Sequence, residues 1–268
     1  MTDILARTWT RLLVEEAEPG LLVVTINRPE VRNAIDTRMM EEMRALFGPL
    51  AFTPGDLRCI VLTGAGDKAF SSGGDLKERQ GMSDDDWRLQ HAIAEEAAYA
   101  ILNSSVPVIA AVNGVAYGGG LETALSCDFI YAARHAVFAL PEATRGILPG
   151  GGGTQHLPRA IGERRAKELL MTGRPFTAEE ALSWGMVNAV FDGPELMPAV
   201  MQVARAICQN APVSIRQIRK AVHQGLQTDL TTGLLLEVQA YERTIPTEDR
   251  REGVQAFNER RKPVFKGR

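Results

Sequence analysis

Pro107-Val108-Ile109-Ala110-Ala111-Val112-Asn113-Gly114, followed by Gly118-Gly119-Gly120-Leu121-Glu122-Thr123-Ala124-Leu125, reads as a buried strand, a turn, a glycine cluster and the start of a helix. Glycines at such a junction leave backbone N–H groups unscreened, and the helix dipole adds to their pull on negative charge. That arrangement suits an oxygen that gains charge during a reaction. Glu122 falls in the first turn of the same helix. A glutamate there also favours the dipole with no chemical role at all.

The same alternation extends to both sides. Leu12–Glu16 and Leu21–Ile26 are β-rich runs split by Pro19-Gly20. Asp36 is placed to cap a helix ending near Phe47, where Gly48-Pro49 stops it. Cys59–Thr63 has the composition of a buried strand, and Gly64–Gly74 that of a glycine-rich loop. Ser83 and three aspartates open a helix expected to run to about Asn103. Phe129–Ala132 and Val137–Leu140 are further strands, and from Gly162 onward the pattern is mostly helical. The expected organisation is an α/β core over residues 1–195 carrying the active site, with a helical region over 196–268.

Composition narrows the function classes. The 268 residues are 45% hydrophobic and 24% charged, enough for a sizeable core. A formal charge of −3 lacks the basic surplus of a nucleic-acid binder. Cys59, Cys127 and Cys208 form no CxxC pair, and His91, His135, His156 and His223 show no metal-ligand spacing, so no metal is expected. No apolar run is long enough for a transmembrane helix and no secretory signal is evident, so a cytoplasmic protein without membrane contact is expected. Neither glycine cluster fits a nucleotide P-loop, and the nucleophile elbow GxSxG is missing.

Ser71-Ser72-Gly73-Gly74-Asp75 offers a second stretch of backbone with little side-chain cover. Glu142 follows Pro141 just after the Val137–Leu140 strand, where it reads equally as a solvated loop acid. Taken together, two glycine amides and two carboxyls in unlike environments match one chemistry. Hydrating an α,β-unsaturated thioester needs a base for water, a proton source for the α-carbon and donors for the enolate oxygen.

Those residues carry a family resemblance. Ile26-Asn27-Arg28-Pro29, Ala69–Glu78, Ala111–Gly114, Gly118–Glu122, Cys127-Asp128, Pro141-Glu142 and Pro149–Gln155, in this order, resemble the enoyl-CoA hydratase/isomerase (crotonase) family from about residue 10 to the end. The resemblance implies a ClpP/crotonase superhelix of repeated ββα units. C-terminal helices would mediate a homotrimer or a dimer of trimers. It implies an acyl-CoA thioester as the substrate, with coenzyme A entering as part of it and no separate cofactor.

By position, Gly74 and Gly119 match the oxyanion donors, Glu122 the residue that activates water, and Glu142 the proton donor to the α-carbon. Val31, Arg32, Ser72, Gly73, Gly74, Asp75, Leu76, Gly150, Tyr241 and Arg260 match substrate and coenzyme A contacts, the last two often reaching a neighbouring subunit. Gly74 stands where alanine is common, His156 where arginine is usual, and Arg260 where some relatives have lysine. Asp75-Leu76-Lys77-Glu78-Arg79 with Met82 is similar to the methylglutaconyl-CoA hydratase-like group, and residues 79–98 and 146–148 are expected to shape the acyl pocket.

Both glutamates favour a hydratase. The same family also leaves open a dehydratase, such as a carnitinyl-CoA dehydratase-like enzyme, or a Δ3-Δ2 isomerase. RNA binding, known in one branch, would use the helix at 36–47, which here has Arg38 and Arg44 but also Glu41 and Glu42, and no lysine.

Overall fold

In a computed structural model, which describes residues 2–268, the chain runs α1 (Thr2–Ala6), β1 (Leu12–Glu18), β2 (Leu21–Ile26), α2 (Thr37–Phe47), β3 (Cys59–Gly64), β4 (Ala69–Ser71) and α3 (Asp84–Leu102). It continues through β5 (Val108–Val112), β6 (Val115–Tyr117), α4 (Gly119–Leu125), β7 (Phe129–Ala133), β8 (Val137–Ala139), α5 (Gly153–Ile161) and α6 (Glu163–Thr172). It ends with β9 (Phe176–Thr177), α7 (Ala178–Ser183), β10 (Ala189–Phe191), α8 (Gly193–Cys208), α9 (Pro212–Gly225), α10 (Leu230–Glu242) and α11 (Glu248–Asn258).

Two sheets share the strands. The larger has the order β1-β2-β3-β5-β7-β10 and the smaller β4-β6-β8-β9. The chain visits them alternately. β3, β5 and β7 pair in parallel in the large sheet, and each is followed directly by β4, β6 or β8 in the small one. The first two pairs each lead into a helix, α3 or α4, so the ββα unit repeats along the chain. Sequential strands leave for the other sheet, and the segments that follow the small-sheet strands line one cavity. Candidate site residues from distant parts of the sequence are gathered there.

The large sheet is covered on both faces, which is why its strands read as unbroken apolar runs. Leu22, Val24, Ile60, Leu62, Val108 and Ala110 point into the main core. The alternate residues Leu21, Cys59, Val61, Ile109 and Ala111 meet Leu196, Val200 and Ala204 of α8. The boundary expected at 195/196 therefore falls inside a helix that seals the core sheet. Among the described residues no helix is long and apolar enough to cross a membrane.

The structure corrects several local expectations. Gly64–Gly74 is not wholly loop, since β4 lies within it. The helical region starts earlier than Gly162, with α5, and the short strands β9 and β10 interrupt it. Strands of two or three residues leave no periodicity to read. Pro194 sits in the first turn of α8, a position where its missing N–H is not needed.

Polar side chains brace the loops near the small sheet. Asp36 Oδ1 accepts from the Met39 N–H at 2.9 Å and so caps α2. Its Oδ2 accepts from Arg11 Nε at 2.7 Å. Asn33, fully buried at φ 57°, donates to the carbonyls of Ala65 (3.0 Å) and Ala69 (2.7 Å) and accepts from the Arg28 N–H (2.9 Å). Asn113 closes the same loop from the other side, donating to Gly64 O (2.8 Å) and Gly66 O (2.7 Å). Asn33→Ala would strand three backbone groups in the interior and leave alanine in a left-handed conformation. It should lower the unfolding free energy by about 3 kcal/mol, measured by urea denaturation; a loss under about 1 kcal/mol would show that the loop is held by other means.

Candidate active site

α4 can begin where it does only because its first residues have no side chains. A Cβ on Gly120 would lie 2.4 Å from Ser71 O, so any other residue would push α4 off β4. Gly118 holds φ 51° and ψ −128°, and a Cβ there would stand 2.8 Å from Glu142 Oε1. With this close packing, the Gly73-Gly74 and Gly119 backbones adjoin. A Cβ on Gly73 would be 3.4 Å from the Gly119 nitrogen, and one on Gly119 would be 3.9 Å from the Gly74 nitrogen. Neither the Gly74 nor the Gly119 N–H is engaged by an acceptor among the described residues. Two free amides thus border one cavity of about 490 Å³.

Glu122 reaches that cavity from α4 and is 5% exposed. Its Oε1 accepts from the N–H groups of Gly151 (2.7 Å) and Gly153 (2.8 Å). Among the described residues its Oε2 takes no hydrogen bond, and it is the oxygen left for a ligand. Burial raises the Glu122 pKa; the Gly153 and Gly151 amides, then His91 and Arg79, oppose the rise.

Glu142 arrives by a different route. β8 pairs with β6 through Tyr117↔Ala139, and the Gly118 N–H donates to Ala139 O at 2.9 Å. The chain then turns at Pro141 into a 3-10 turn, Glu142–Arg145, beside Gly118. Glu142 Oε2 is buried without a partner. Burial pushes its pKa up to about 7; its own backbone N–H opposes this, the charge of Glu122 adds to it, and Arg145 and Arg79 pull it back. The two acids on one cavity therefore differ in kind. One is anchored by two amides, and the other is an unsolvated carboxyl that still holds a proton well above the ordinary carboxylate range.

Of the other residues singled out in the sequence, Ser72, Gly73, Leu76 and Gly150 line this cavity. Val31, Arg32 and Asp75 do not. Their contribution is to the loop behind it: Ser72 donates from N to Arg32 O (3.0 Å) and from Oγ to Val31 O (3.4 Å). The Asp75 carboxylate is paired with Arg28 Nη1 at 3.0 Å and so turns away from the cavity. Tyr241, on α10, is largely exposed, and Arg260 follows α11 at φ 55°; neither meets the cavity of its own chain.

Sequence reasoning gave no individual role to four participants, two of which, Arg79 and His91, it placed only within the segment expected to shape the acyl pocket. Gly151 and Gly153 act through backbone amides, so only the glycine run itself could have signalled them. His91 packs against Gly150, where a Cβ would lie 2.4 Å from its Cε1. Arg79, anticipated only as one end of an acyl-pocket segment, presents its guanidinium to the cavity next to Gly74.

The enoyl-CoA hydratase/isomerase family profile matches residues 16–268. YngF of Bacillus subtilis (strain 168) is 46% identical over 247 residues, covering 92% of this chain and 95% of that protein. The crotonyl-CoA hydratase of Syntrophomonas wolfei is 38% identical over 253 residues, covering 94% and 97%. The crystal structure of an enoyl-CoA hydratase from Bacillus anthracis superposes with a TM-score of 0.94 at 41% identity, covering 97% of this chain and 100% of that one. A ββα coil, two paired glycine amides and a family profile spanning nearly the whole length all point the same way: the chain belongs to the enoyl-CoA hydratase/isomerase (crotonase) family.

Proposed function

We propose that the chain is a hydro-lyase, an enoyl-CoA hydratase that adds water reversibly and syn to a 2-enoyl-CoA thioester. The observation that carries this reading is the pair of acids with unlike environments facing two unengaged glycine amides across one cavity.

The thioester oxygen accepts hydrogen bonds from the Gly74 and Gly119 N–H groups. Glu122 Oε2 holds a water and takes its proton as the water oxygen bonds to C3. The C2–C3 π electrons move onto the thioester, and the enolate oxygen gains charge where the amides wait. Glu142 in its acid form gives its proton to C2 and leaves as carboxylate. Run backwards, the same steps dehydrate a 3-hydroxyacyl-CoA, so the dehydratase alternative needs no different site. Isomerisation would need only one acid, and the elaborate double anchoring of Glu122 favours a held water instead.

Coenzyme A enters as part of the substrate, and no separate cofactor takes part in these steps. Val31, Arg32 and Asp75 hold the loop along which its pantetheine would lie. Val222 on α9, Leu226 just after it, and Leu234 and Val238 on α10 form exposed apolar faces, which supports assembly as a homotrimer or dimer of trimers. In that assembly Tyr241 and Arg260 approach a neighbouring protomer's coenzyme A. Free thiols at Cys59, Cys127 and Cys208 agree with a cytoplasmic setting. RNA binding through α2 is disfavoured, because Arg38 is paired with Glu42 and Arg44 with Glu96.

Glu122→Gln and Glu142→Gln should each lower kcat/KM for hydration of crotonyl-CoA by about 10²–10⁴, followed as loss of the conjugated thioester absorbance. A double variant with near-wild-type hydration would end the acid–base assignment. In the wild type, kcat/KM for hydration should fall as pH rises through about 7, where Glu142 loses the proton it must deliver. The acidic limb, set by Glu122, should lie above the ordinary glutamate range. Glu142→Gln should lack the limb near 7.

The raised Glu142 pKa also links to stability. The native state holds this proton where the unfolded chain has already released it, so the contribution is full at low pH and is lost as pH rises through about 7. Glu142→Gln should therefore gain melting temperature relative to wild type most clearly above that pH; a gain that is the same at all pH values would show that its carboxyl is not held protonated.

A further inference from the structure

Arg79 lines the cavity as a charged side chain with no counter-ion among the described residues. Its Nε donates to Gln90 Oε1 at 2.7 Å. Gln90 is itself 3% exposed and fixed at its other end, donating to Thr37 Oγ1 (2.8 Å) and Glu78 Oε2 (2.9 Å). The guanidinium lies 4.6 Å from the ring centroid of Trp87. Nothing in this set neutralises it: among the described residues no carboxylate comes within ion-pair distance, and its Nη1 and Nη2 make no hydrogen bond.

Those unspent nitrogens lie beside Gly74. A Cβ on Gly74 would meet Arg79 Cζ and Nη2 at 3.5 Å and Nη1 at 3.6 Å. A half-buried cation without an anion in contact loses hydration that Gln90 and Trp87 return only in part. Burial lowers the Arg79 pKa, with Glu78, Glu122 and Glu142 opposing; the group stays charged at neutral pH all the same. The anion that would offset this cost is one that forms only during turnover.

We propose that Arg79 is a fixed cation that stabilises the enolate at the Gly74 end of the oxyanion site, adding a full charge to the two amide dipoles. The proposal rests on Gly74 and Gly119 gripping the thioester oxygen. In the hydration step the π electrons displaced by the water oxygen end on that oxygen, next to the guanidinium. In the neutral substrate the oxygen carries little charge, so the interaction strengthens as the enolate forms, as rate acceleration requires. Gln90 and Trp87 are positioning residues: they hold the guanidinium in place before charge develops, so no reorganisation is needed when it does.

Acetoacetyl-CoA tests this without turnover. Loss of its C2 proton to solvent gives an enolate with its own absorbance, and the pH at which that band appears in the bound ligand reports how well the site holds enolate charge. The wild-type chain should show the band at lower pH than free acetoacetyl-CoA. Arg79→Met should bind the ligand but show about tenfold less enolate at a fixed pH on the rising part of the titration. Arg79→Lys, which keeps charge but not the planar fork, should recover part of the difference. Melting curves of the variants establish that each is folded.

A titration in Arg79→Met that coincides with wild type would overturn the proposal and leave the guanidinium to another anion, such as one carried by the substrate. An Arg79→Lys loss as large as that of Arg79→Met would assign the effect to packing on Trp87 and overturn it equally. Wild-type binding with no enolate band at all would sink the oxyanion reading of Gly74 and Gly119 itself, and Arg79 with it.

Discussion

Glu122 Oε1 receives two backbone amides, from Gly151 and Gly153, and much of the site is arranged around that contact. A buried carboxylate needs donors, and side-chain donors would fill the cavity it must face. Backbone amides meet the need without taking up space, but only if the chain comes within hydrogen-bond reach. At Gly151 and Gly153 a Cβ would stand 2.9 and 3.0 Å from the Glu122 carboxylate. The glycine run is therefore a consequence of the carboxylate, and α5 starts where it does because the chain has just been pulled in to hold it.

The same logic of bare backbone recurs on the opposite wall. α4 presses on β4 through Gly120, and that contact sets the distance between the Gly119 and Gly74 amides. Neither amide could face the cavity if a side chain stood between them. Both walls thus depend on glycine for approach, while the asparagines Asn33 and Asn113 supply the rigidity that glycine takes away. This division of labour explains why so much buried polar side chain lies just outside a cavity whose own lining is mostly apolar.

Charge within the cavity is sorted by environment rather than by residue type. Glu122 and Glu142 are chemically identical, yet one has amides on it and the other has a buried, unpartnered oxygen. Their mutual repulsion widens the gap, since the charge on Glu122 raises the proton affinity of Glu142. Arg79 stands near both and is matched to neither by direct contact. A site that must hold a base, an acid and a transient oxyanion in one small volume needs such unequal surroundings.

Much of this was written in the local sequence. The strands at 21–26, 59–64 and 108–112 showed as apolar runs because both faces of their sheet are covered, and Asp36 and Ser83 marked helix starts because capping is a contact between near neighbours. The motif order was enough to indicate the family, and with it the two glycines and two glutamates. Short strands such as β4, β9 and β10 escaped notice, being too brief for any pattern. Asp75 matched a binding position, but a salt bridge to Arg28, distant in the chain, turned it elsewhere. Which glutamate is anchored, that a guanidinium lies beside Gly74, and that Glu142 carries an unpartnered oxygen were decided only by tertiary structure. Backbone amides, burial and charge proximity belong to the meeting of segments, and no stretch of sequence contains them by itself.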